Sequence, residues 1–320
     1  MNFQDILATV ATDFTAVDDF ILNHLDSRVP LIMQVGHYLV EGGGKRLRPL
    51  VCLLAAKAAG YQGSQHIPAA AIIEMLHTAT LIHDDVVDES DLRRGRATVN
   101  SAWNNATAVL VGDFLISRAF QLIVSLKNQT ISEIMSDSTC IIAEGEVLQL
   151  INQRDPDTTE ARYMDVIYGK TAQLFVAATE TGAVLGNESY REALKKYAIH
   201  FGAAFQIIDD VMDYTSSADI MGKNLGDDLA EGKPTLPLIQ AIKMAAPEQA
   251  EQIRNAIKTG GLAHLAAIIE TVKTTGALVY CRQRATEESQ LAIAALADLP
   301  ESIYKQALVG LAELALNRVS

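Results

Sequence analysis

The sequence predicts an all-α protein built as one domain over residues 1–320, and three observations support this prediction. Apolar residues recur at helical spacing almost throughout, and the last segment places Ala307, Leu311 and Leu314 on one face. No run alternates apolar and polar residues with the period of a half-buried strand. No Ser/Gly-rich linker or shift in composition divides the chain, and 320 residues can form a single large domain.

Turn-forming residues separate the expected helices. The glycines at 42–44 end one helix, and Pro49 suits the first turn of the next. Residues 155–157, Asp-Pro-Asp, form a turn, and Thr158 or Thr159 caps the helix that follows. The expected helices span residues 3–25, 30–41, 48–59, 67–88, 104–126, 130–151, 159–182, 188–214, 234–245, 247–258, 262–274, 276–296 and 301–318.

Composition narrows the class of protein. Apolar residues make up 49% of the chain, which is enough for a large core, and the net charge of −13 argues against nucleic acid as a partner. No uncharged apolar run reaches eighteen residues, so no transmembrane segment is expected. The N-terminus has no basic region before an apolar one and does not resemble a signal peptide. A cytoplasmic location is therefore expected.

The three cysteines are far apart in the sequence. Cys52, Cys140 and Cys281 each lie in an apolar context. An odd, scattered set predicts reduced and buried thiols rather than disulfide bonds or a zinc site.

Two similar acidic clusters interrupt apolar segments. The stretch "LIHDDVVDES" contains Asp84, Asp85 and Asp88, and "IIDDVMDYTS" contains Asp209 and Asp213. On a helix, the first and last aspartate of each cluster are four residues apart and share a face. Their charges repel by about 1 kcal/mol in water and about 4 kcal/mol at an effective dielectric constant of 20. A single cluster could be a solvated helix end, but two in apolar surroundings favour binding of Mg²⁺ by carboxylate oxygens.

Arginines follow the first acidic cluster directly. The stretch "DLRRGRATVN" contains Arg93, Arg94 and Arg96. Guanidinium groups suit phosphate oxygens because they donate two parallel hydrogen bonds. A surface salt-bridge network is the alternative, and it suits Arg96 better than the Arg93–Arg94 pair. The pattern predicts metal-binding acids beside phosphate-binding arginines.

A second basic stretch, "EGGGKRLRPL", places Lys45, Arg46 and Arg48 after three glycines at a helix start. No Ser or Thr follows the lysine, so this is not a P-loop, but an anion site remains a reasonable interpretation. His77 lies seven residues before Asp84, two helical turns away on nearly the same face. A structural role for this histidine is equally compatible with the spacing.

Two further segments carry lysines near the acidic clusters or in apolar surroundings. The stretch "YGKTAQLF" places Lys170 and Thr171 among apolar residues. The Gly-rich connection after the second cluster contains Lys223, Asp227 and Lys233. Such a loop is often only solvated, but its position directly after candidate metal ligands favours a functional role.

These stretches, in this order, resemble the trans-polyprenyl diphosphate synthases. The matching segments are "GGGKRLRP", "LIHDDVVDESDLRRG", "YGKTAQLF", "QIIDDVMDY" and "GKNLGDDLAEGKPTLPL", and they span residues 42–239. The resemblance implies an isoprenoid-synthase helical barrel around a central cavity, usually as a homodimer. Within the family the sequence is most similar to the bacterial enzymes that make octaprenyl diphosphate for quinone side chains.

The resemblance also implies an activity and a role for each matching residue. The enzyme would be a Mg²⁺-dependent prenyltransferase that extends an allylic diphosphate, with farnesyl diphosphate as the expected primer, by successive isopentenyl diphosphate units to an all-trans chain. Asp84, Asp88 and Asp209 would bind Mg²⁺, and Asp85 and Asp213 would complete the motifs. The positions that match allylic-substrate contacts are Arg93, Lys170, Thr171, Gln206, Lys223 and Lys233. The positions that match the isopentenyl diphosphate site are Lys45, Arg48, His77 and Arg94. The residues expected to act in catalysis are Asp84, Asp88, Arg93, Lys170, Asp209 and Lys223.

The helix before Asp84 predicts a long product. One helical turn rises 5.4 Å, and an extended isoprene unit is about as long, so each turn gives room for about one unit. Ala79 and Thr80, one turn below the first motif, are small where short-chain members of the family have bulky aromatics. The tunnel is expected to pass Met75, Leu76 and Ile72 and to end at Phe120, Leu122, Ile123 and Met135. That last stripe could equally be core packing. The expected product has about seven to nine units.

Other functions remain as alternatives. A farnesyl or geranylgeranyl synthase would share the same motifs, and a non-catalytic partner subunit would share the fold. Partner subunits tend to lose the Asp motifs, and this chain retains both. Class I terpene cyclases and squalene-synthase-like enzymes are disfavoured by the second Asp motif and the apparent isopentenyl diphosphate site, and a purely structural Mg²⁺-binding protein would not need the lysine and arginine set. The apolar product could be handed to a membrane.

Overall fold

A computed structural model gives the structure of residues 1–215 and 226–317, and helices dominate it as predicted. The first half of the chain contains α1 (Phe3–Ala8), α2 (Ala11–His24), α3 (Pro30–Glu41), α4 (Leu47–Ala58), α5 (His66–Val87), β1 (Leu92–Arg93), β2 (Arg96–Ala97), α6 (Val99–Ala102), α7 (Asn105–Ser125) and α8 (Gln129–Asn152). The second half contains α9 (Glu160–Val166), a π-helix (Ile167–Ala172), α10 (Gln173–Leu185), a 3₁₀ turn (Glu188–Tyr190), α11 (Arg191–Met212), α12 (Asp227–Ala230), α13 (Leu236–Met244), α14 (Pro247–Thr259), α15 (Leu265–Thr274), α16 (Ala277–Ala295) and α17 (Ile303–Leu316).

The chain forms two compact units, which are described separately. The first unit comprises Met1–Ser138, Leu174–Lys196 and Ala295–Leu311. The second unit comprises Thr139–Gln173, Tyr197–Ala294 and Ala312–Ser320. A single domain over residues 1–320 stays a prediction.

Helix α5 is the centre of the first unit. It packs against α2, α4 and α7, and its middle turns are buried on every side, as shown by Ile72, Ile73, Met75 and Leu76. A helix that is apolar all round belongs in a core, so burial rather than an amphipathic face fixes its position. This packing fixes the position of its C-terminal end, where the first acidic motif lies.

The second unit places a π-helix between two close neighbours. A Cβ added at Gly145 of α8 would lie 2.6 Å from the backbone nitrogen of Lys170. A Cβ added at Gly202 of α11 would lie 2.6 Å from the Cα of Ala172. Only glycine permits such close approach of two backbones. The two glycines therefore bring α8 and α11 against the segment that carries Lys170.

The structure corrects several predicted helix boundaries and the predicted burial of one cysteine. The helix expected over 3–25 is two helices, because residues 9 and 10 form a turn, and the helix expected over 159–182 is interrupted by the π-helix. A short hairpin was not predicted, because strands of two residues are too short for an alternating pattern. Cys52 and Cys281 are buried as predicted, but Cys140 is exposed, so its apolar sequence context did not indicate burial.

Two capping predictions are confirmed and made specific. Helix α3 ends at the glycine run, with Gly42 as its C-cap. Thr159 rather than Thr158 is the N-cap of α9, because its side chain accepts a hydrogen bond from the backbone N–H of Arg162.

Among the described residues, α7 is long and apolar enough to cross a membrane by length and composition, but core helices of soluble proteins pass the same test. In this helix, 39% of the most apolar window is buried in the protein.

Candidate active site

The first acidic motif lies at the C-terminal end of α5, and its three aspartates differ in burial. Asp85 is buried, with 4% of its surface exposed, whereas Asp84 and Asp88 are only partly buried. Arg93 lies over Asp85, with Nη2 2.6 Å and Nε 2.8 Å from Oδ1. A buried carboxylate requires such a partner. The first and last aspartates of the motif are therefore the more accessible pair, as a metal-binding role requires.

A hairpin brings the arginines back toward the motif. Strand β1 pairs with β2 in antiparallel register, with Arg93 opposite Arg96. The two turn residues, Arg94 and Gly95, have φ of 53° and 74°. A two-residue hairpin turn requires such positive values at both positions. The guanidinium of Arg94 donates from Nη1 to the carbonyl oxygen of Gly43, so the hairpin contacts the glycine run before α4.

Tyr38 on α3 holds the hairpin from the other side. Its hydroxyl donates to the carbonyl oxygen of Ala97 at 2.6 Å, and the guanidinium of Arg96 lies 4.2 Å from its ring centroid. The edge of Trp103 packs against the same ring, with centroids 5.2 Å apart. Arg96 therefore stacks on an aromatic ring, a role that neither of its sequence-based interpretations included.

The glycine run leads into α4 through Arg46, which has φ of 47°. Its side chain is held by two acids: Nε lies 3.1 Å from Asp18 and Nη1 lies 2.8 Å from Glu74. Glu74 is buried, and burial raises the pKa of its carboxyl group, whereas the charge of Arg46 opposes that shift. Glu74 was not predicted as a site residue, since an acid within an apolar helix three residues before His77 carried no recognised pattern. Lys45 is exposed in the same run.

Arg48 and His77, both expected at the isopentenyl diphosphate site, are in contact. Nη1 of Arg48 lies 3.1 Å from Nε2 of His77, and the guanidinium lies 4.5 Å from the ring centroid of Phe175. Burial, followed by the charges of Arg48 and Arg94, lowers the pKa of His77 well below its usual value. Because arginine can only donate, Nε2 of a neutral His77 accepts, and Nδ1 carries the proton.

A cleft in the first unit lies between the hairpin, α3 and α5. Its volume is about 70 Å³, and its charged lining residues are Arg46, Glu74, Asp85, Arg93, Arg94 and Arg96. Four arginines against two acids leave an excess of positive charge, which favours an anionic ligand.

The residues expected to determine chain length lie in the core of the first unit. Ala79, Met75 and Leu76 are buried on α5, and Thr80 is partly buried. On the partner segments, Leu122, Ile123 and Met135 are buried and Phe120 is partly buried. Both a tunnel floor and core packing require such burial, so the assignment of these residues to chain length stays a prediction.

The second acidic motif ends α11. Asp213 is buried with 3% of its surface exposed, and its Oδ2 atom has no hydrogen-bond partner. Burial, and then the charges of Asp228, Asp210 and Asp227, raise the pKa of Asp213 to about 8. Asp209 is only partly buried.

A chain of hydrogen bonds runs through this second motif. Thr171 donates from Oγ1 to Oε1 of Gln206 at 3.0 Å, and Gln206 donates from Nε2 to Oδ1 of Asp210 at 2.8 Å. The hydroxyl of Tyr163 donates to Oδ2 of Asp210 at 2.6 Å. Thr171 and Gln206 were predicted to contact the allylic substrate, whereas Tyr163 and Asp210 were missed. Tyr163 lies 47 residues from Asp210, and no local pattern indicated that contact. Gln206 lies four residues before Asp210 on the same helix, a spacing that favours a side-chain hydrogen bond.

The predicted lysines of the second unit are ion-paired. Nζ of Lys170, in the π-helix, lies 2.6 Å from Glu146, and Lys233 pairs with Glu231. π-Helical turns occur often at functional sites. Lys223 lies outside the described residues.

Within 1–215 and 226–317, no three His, Cys, Asp or Glu side chains are grouped as a metal site would require. The acids at the end of α11 nevertheless fit a hard cation. They are carboxylates, the ligand type that Mg²⁺ prefers, and one buried oxygen of Asp213 lacks a hydrogen bond. Their mutual repulsion is what a divalent cation would relieve.

Comparison with known proteins shows similarity along the whole chain. The family model for polyprenyl synthetase matches residues 29–273. The all-trans-nonaprenyl-diphosphate synthase (geranyl-diphosphate specific) of Rhodobacter capsulatus is 59% identical over 99% of this chain and 98% of its own. The octaprenyl diphosphate synthase of Escherichia coli is 51% identical over 99% of both chains.

Solved structures agree with the fold. A polyprenyl synthase from Caulobacter crescentus, complexed with calcium and isoprenyl diphosphate, superposes with a TM-score of 0.96 at 40% identity, covering 100% of this chain and 98% of its own. A decaprenyl diphosphate synthase from Rhodobacter capsulatus gives 0.94 at 41% identity over 100% of both chains. These similarities confirm the predicted isoprenoid-synthase fold class.

Proposed function

Since the chain belongs to the polyprenyl synthetase family, we propose that it is a Mg²⁺-dependent prenyltransferase that makes a long all-trans polyprenyl diphosphate. The observation that carries the proposal is that each acidic motif contacts, in its own unit, side chains suited to a diphosphate. Arg93 contacts Asp85 in the first unit, and the hydrogen-bond chain from Asp210 reaches Thr171, beside Lys170, in the second.

Each elongation cycle breaks one C–O bond and one C–H bond and forms one C–C bond. The allylic C–O bond breaks, its electron pair leaves with the diphosphate, and an allylic carbocation forms. The double bond of isopentenyl diphosphate attacks that cation to form a C–C bond. A proton is then lost from the new cation, and this restores a double bond in the lengthened chain. The products are one longer diphosphate, one free diphosphate and one proton.

The diphosphates of the two substrates must be bound differently, because only the allylic one leaves during the reaction. Mg²⁺ bound by Asp84, Asp88 and Asp209 would neutralise charge that develops on the allylic leaving group. Arg93, Lys170 and Lys233 would donate hydrogen bonds to the same group. Isopentenyl diphosphate must keep its C–O bond, so cations without metal suit it. Lys45, Arg48 and Arg94, with neutral His77 beside Arg48, form that second set.

The apolar surroundings of both motifs serve the chemistry as well as the fold. A carbocation reacts with any water that reaches it, so its site must be dry. Three apolar residues before Asp84 on α5 are buried: Leu76, Ala79 and Ile82. The proposed site therefore combines charged groups for the diphosphates with apolar walls for the chain.

Product length and primer are finer proposals. The name of the octaprenyl synthase relative supports eight isoprene units. The family resemblance implies a role in quinone side chains, with farnesyl diphosphate as the expected primer. Nonaprenyl diphosphate is the second candidate, because the 59% identical relative is named for that product and for geranyl diphosphate. We further propose a cytoplasmic homodimer that hands its product to a membrane.

The test is incorporation of radiolabelled isopentenyl diphosphate by the purified chain, with farnesyl or geranyl diphosphate as primer. We expect incorporation that requires a primer and Mg²⁺ and that excess EDTA abolishes. Incorporation that persists in EDTA would contradict the metal assignment. No incorporation with either primer would contradict the proposed function and would favour a non-catalytic partner subunit.

A further inference from the structure

We propose that Tyr163 and Asp210 are positioning residues that fix the amide orientation of Gln206 toward the allylic diphosphate. The inference rests on the proposed function and deepens it. Tyr163 lies outside the matched stretches, and Asp210 lies in the second acidic motif without an assigned role. Both are buried, with 6% and 4% of their surfaces exposed. They would act through Gln206 rather than by touching the substrate themselves.

Two side chains donate hydrogen bonds to the buried carboxyl group of Asp210. The hydroxyl of Tyr163 donates to Oδ2, and Nε2 of Gln206 donates to Oδ1. The NH₂ group of Gln206 therefore faces Asp210, at 2.8 Å, and its oxygen faces the hydroxyl of Thr171, at 3.0 Å. Asp210, as the acceptor, therefore holds the NH₂ group of Gln206 on its own side and leaves the amide oxygen toward Thr171.

The orientation matters because the two ends of an amide have opposite chemistry. An NH₂ group carries two N–H bonds, and the one not directed at Asp210 can donate to an oxygen of a diphosphate. Gln206 as a residue is partly exposed, and the proposal requires that this second N–H face the diphosphate. A reversed amide would present its oxygen to the anion and would repel it.

Tyr163 makes this arrangement stable. Its hydroxyl lies 2.6 Å from Oδ2 of Asp210 and so satisfies the oxygen that Gln206 does not reach. A buried carboxylate with one bare oxygen is costly, so loss of the phenol would favour rotation of Asp210 away from Gln206. The chain joins three segments: α9 supplies Tyr163, the π-helix supplies Thr171, and α11 supplies Gln206 and Asp210.

The first motif contains an independent parallel. Its second aspartate, Asp85, is also buried and is held by Arg93, which was expected at the allylic diphosphate. In both motifs the second aspartate contacts a predicted substrate-binding side chain. The second position of each motif thus has a buried, positioning geometry, whereas the first is only partly buried.

The test compares Tyr163→Phe with Tyr280→Phe. Tyr280 is a matched control, because it also donates to a carboxylate of the second unit, Glu160, at 2.8 Å. The ligand is farnesyl thiolodiphosphate, in which sulfur replaces the bridging oxygen so that ionisation is slowed, and calorimetry in Mg²⁺ measures its Kd. Steady-state kinetics measure the KM of each substrate.

We expect Tyr163→Phe to raise the Kd of the analogue and the KM of the allylic substrate roughly tenfold, with the KM of isopentenyl diphosphate unchanged. Tyr280→Phe should change neither. In a Gln206→Leu background, Tyr163→Phe should have no further effect on the Kd, because the effect passes through Gln206.

Equal changes for both substrates, the same change in the Tyr280 control, or additive effects with Gln206→Leu would each overturn the inference. A parent chain that binds the analogue but does not extend a primer would instead count against the proposed function. The two failures are therefore distinguishable.

Discussion

The aspartates of the two motifs have roles that depend on which neighbours each one meets. Asp84, Asp88 and Asp209 are partly buried, whereas Asp85 and Asp210 are buried and bound by side chains of other segments. Four-residue spacing along a helix predicted the shared face of the first pair. The spacing could not predict Arg93 as the partner of Asp85 or Tyr163 as a partner of Asp210, since each of these lies on another segment.

The metal assignment predicts a large loss from a single substitution. Asp84→Ala or Asp209→Ala should lower turnover roughly a thousandfold or more, because charge on the leaving group would lose its stabilisation. Neither change should lower the free energy of unfolding, since each removes a charge from a repelling cluster. Asp137→Ala, at an exposed site on α8, is the control. Near-normal turnover of either variant in Mg²⁺ would show that the assignment is wrong.

The two neighbouring arginines should affect different substrates. Arg94→Ala should mainly raise the KM of isopentenyl diphosphate, and Arg93→Ala should mainly affect the allylic substrate. Arg93→Ala should also destabilise the fold by about 1–3 kcal/mol, because Asp85 would stay buried after losing its ion pair with Arg93. Steady-state kinetics with each substrate varied, together with urea unfolding, measure both effects. Equal effects of both variants on both substrates would refute the division.

The second motif predicts how stability depends on pH. The pKa of Asp213 is raised to about 8 by burial and neighbouring acids, so the folded protein holds this proton more tightly than the unfolded chain. In EDTA, the contribution of this group to the free energy of unfolding is full below about pH 4 and is lost as the pH rises through about 8. Asp213→Asn should flatten that decline in urea unfolding between pH 5 and 9. An unchanged slope would contradict the shifted pKa.

At the scale of elements, three features position the site: the buried helix α5, the hairpin after it, and the π-helix. The local sequence predicted α5, because a long, mostly apolar stretch without helix breakers in its interior is enough to indicate a helix. It could not predict the π-helix, since the extra residue in that turn leaves the same apolar residues in place. The close approaches at Gly145 and Gly202 depend on neighbouring helices that local sequence does not specify.

Helix α5 carries the prediction on product length. Ala79→Tyr places a bulky ring about one turn below the first motif and should shift products to about three or four isoprene units. Consumption of primer should continue, which distinguishes a plugged tunnel from a misfolded protein, and thermal unfolding serves as the second control. Mass analysis of dephosphorylated products measures the shift. A variant that still makes the parent's long product would show that the tunnel does not run past residue 79.

At the scale of the whole molecule, the order of the motifs along the chain carried most of the functional prediction. Five stretches between residues 42 and 239 matched one family in sequence order, and similarity over 99% of the chain confirmed that family. Fold class followed from the same pattern. Product length did not follow as directly, because it depends on side chains such as Leu122 and Met135 that would be buried in an ordinary core as well.

Features along the whole chain also bear on the choice between a short-chain and a long-chain synthase. A short-chain synthase would share both acidic motifs and both sets of cations, so these features support prenyl transfer without fixing its extent. The small residues Ala79 and Thr80 and the long-chain relatives favour a long product. Product mass is therefore the property that best distinguishes a long-chain synthase from a short-chain one.

The most direct test of long-chain prenyl transfer is the mass of the dephosphorylated product that the unmodified chain makes from isopentenyl diphosphate and an allylic primer in Mg²⁺. We expect alcohols of about seven to nine isoprene units, with eight as the main species, because the small residues on α5 leave room for about one unit per turn. Products confined to about three or four units, with both substrates in excess, would contradict it.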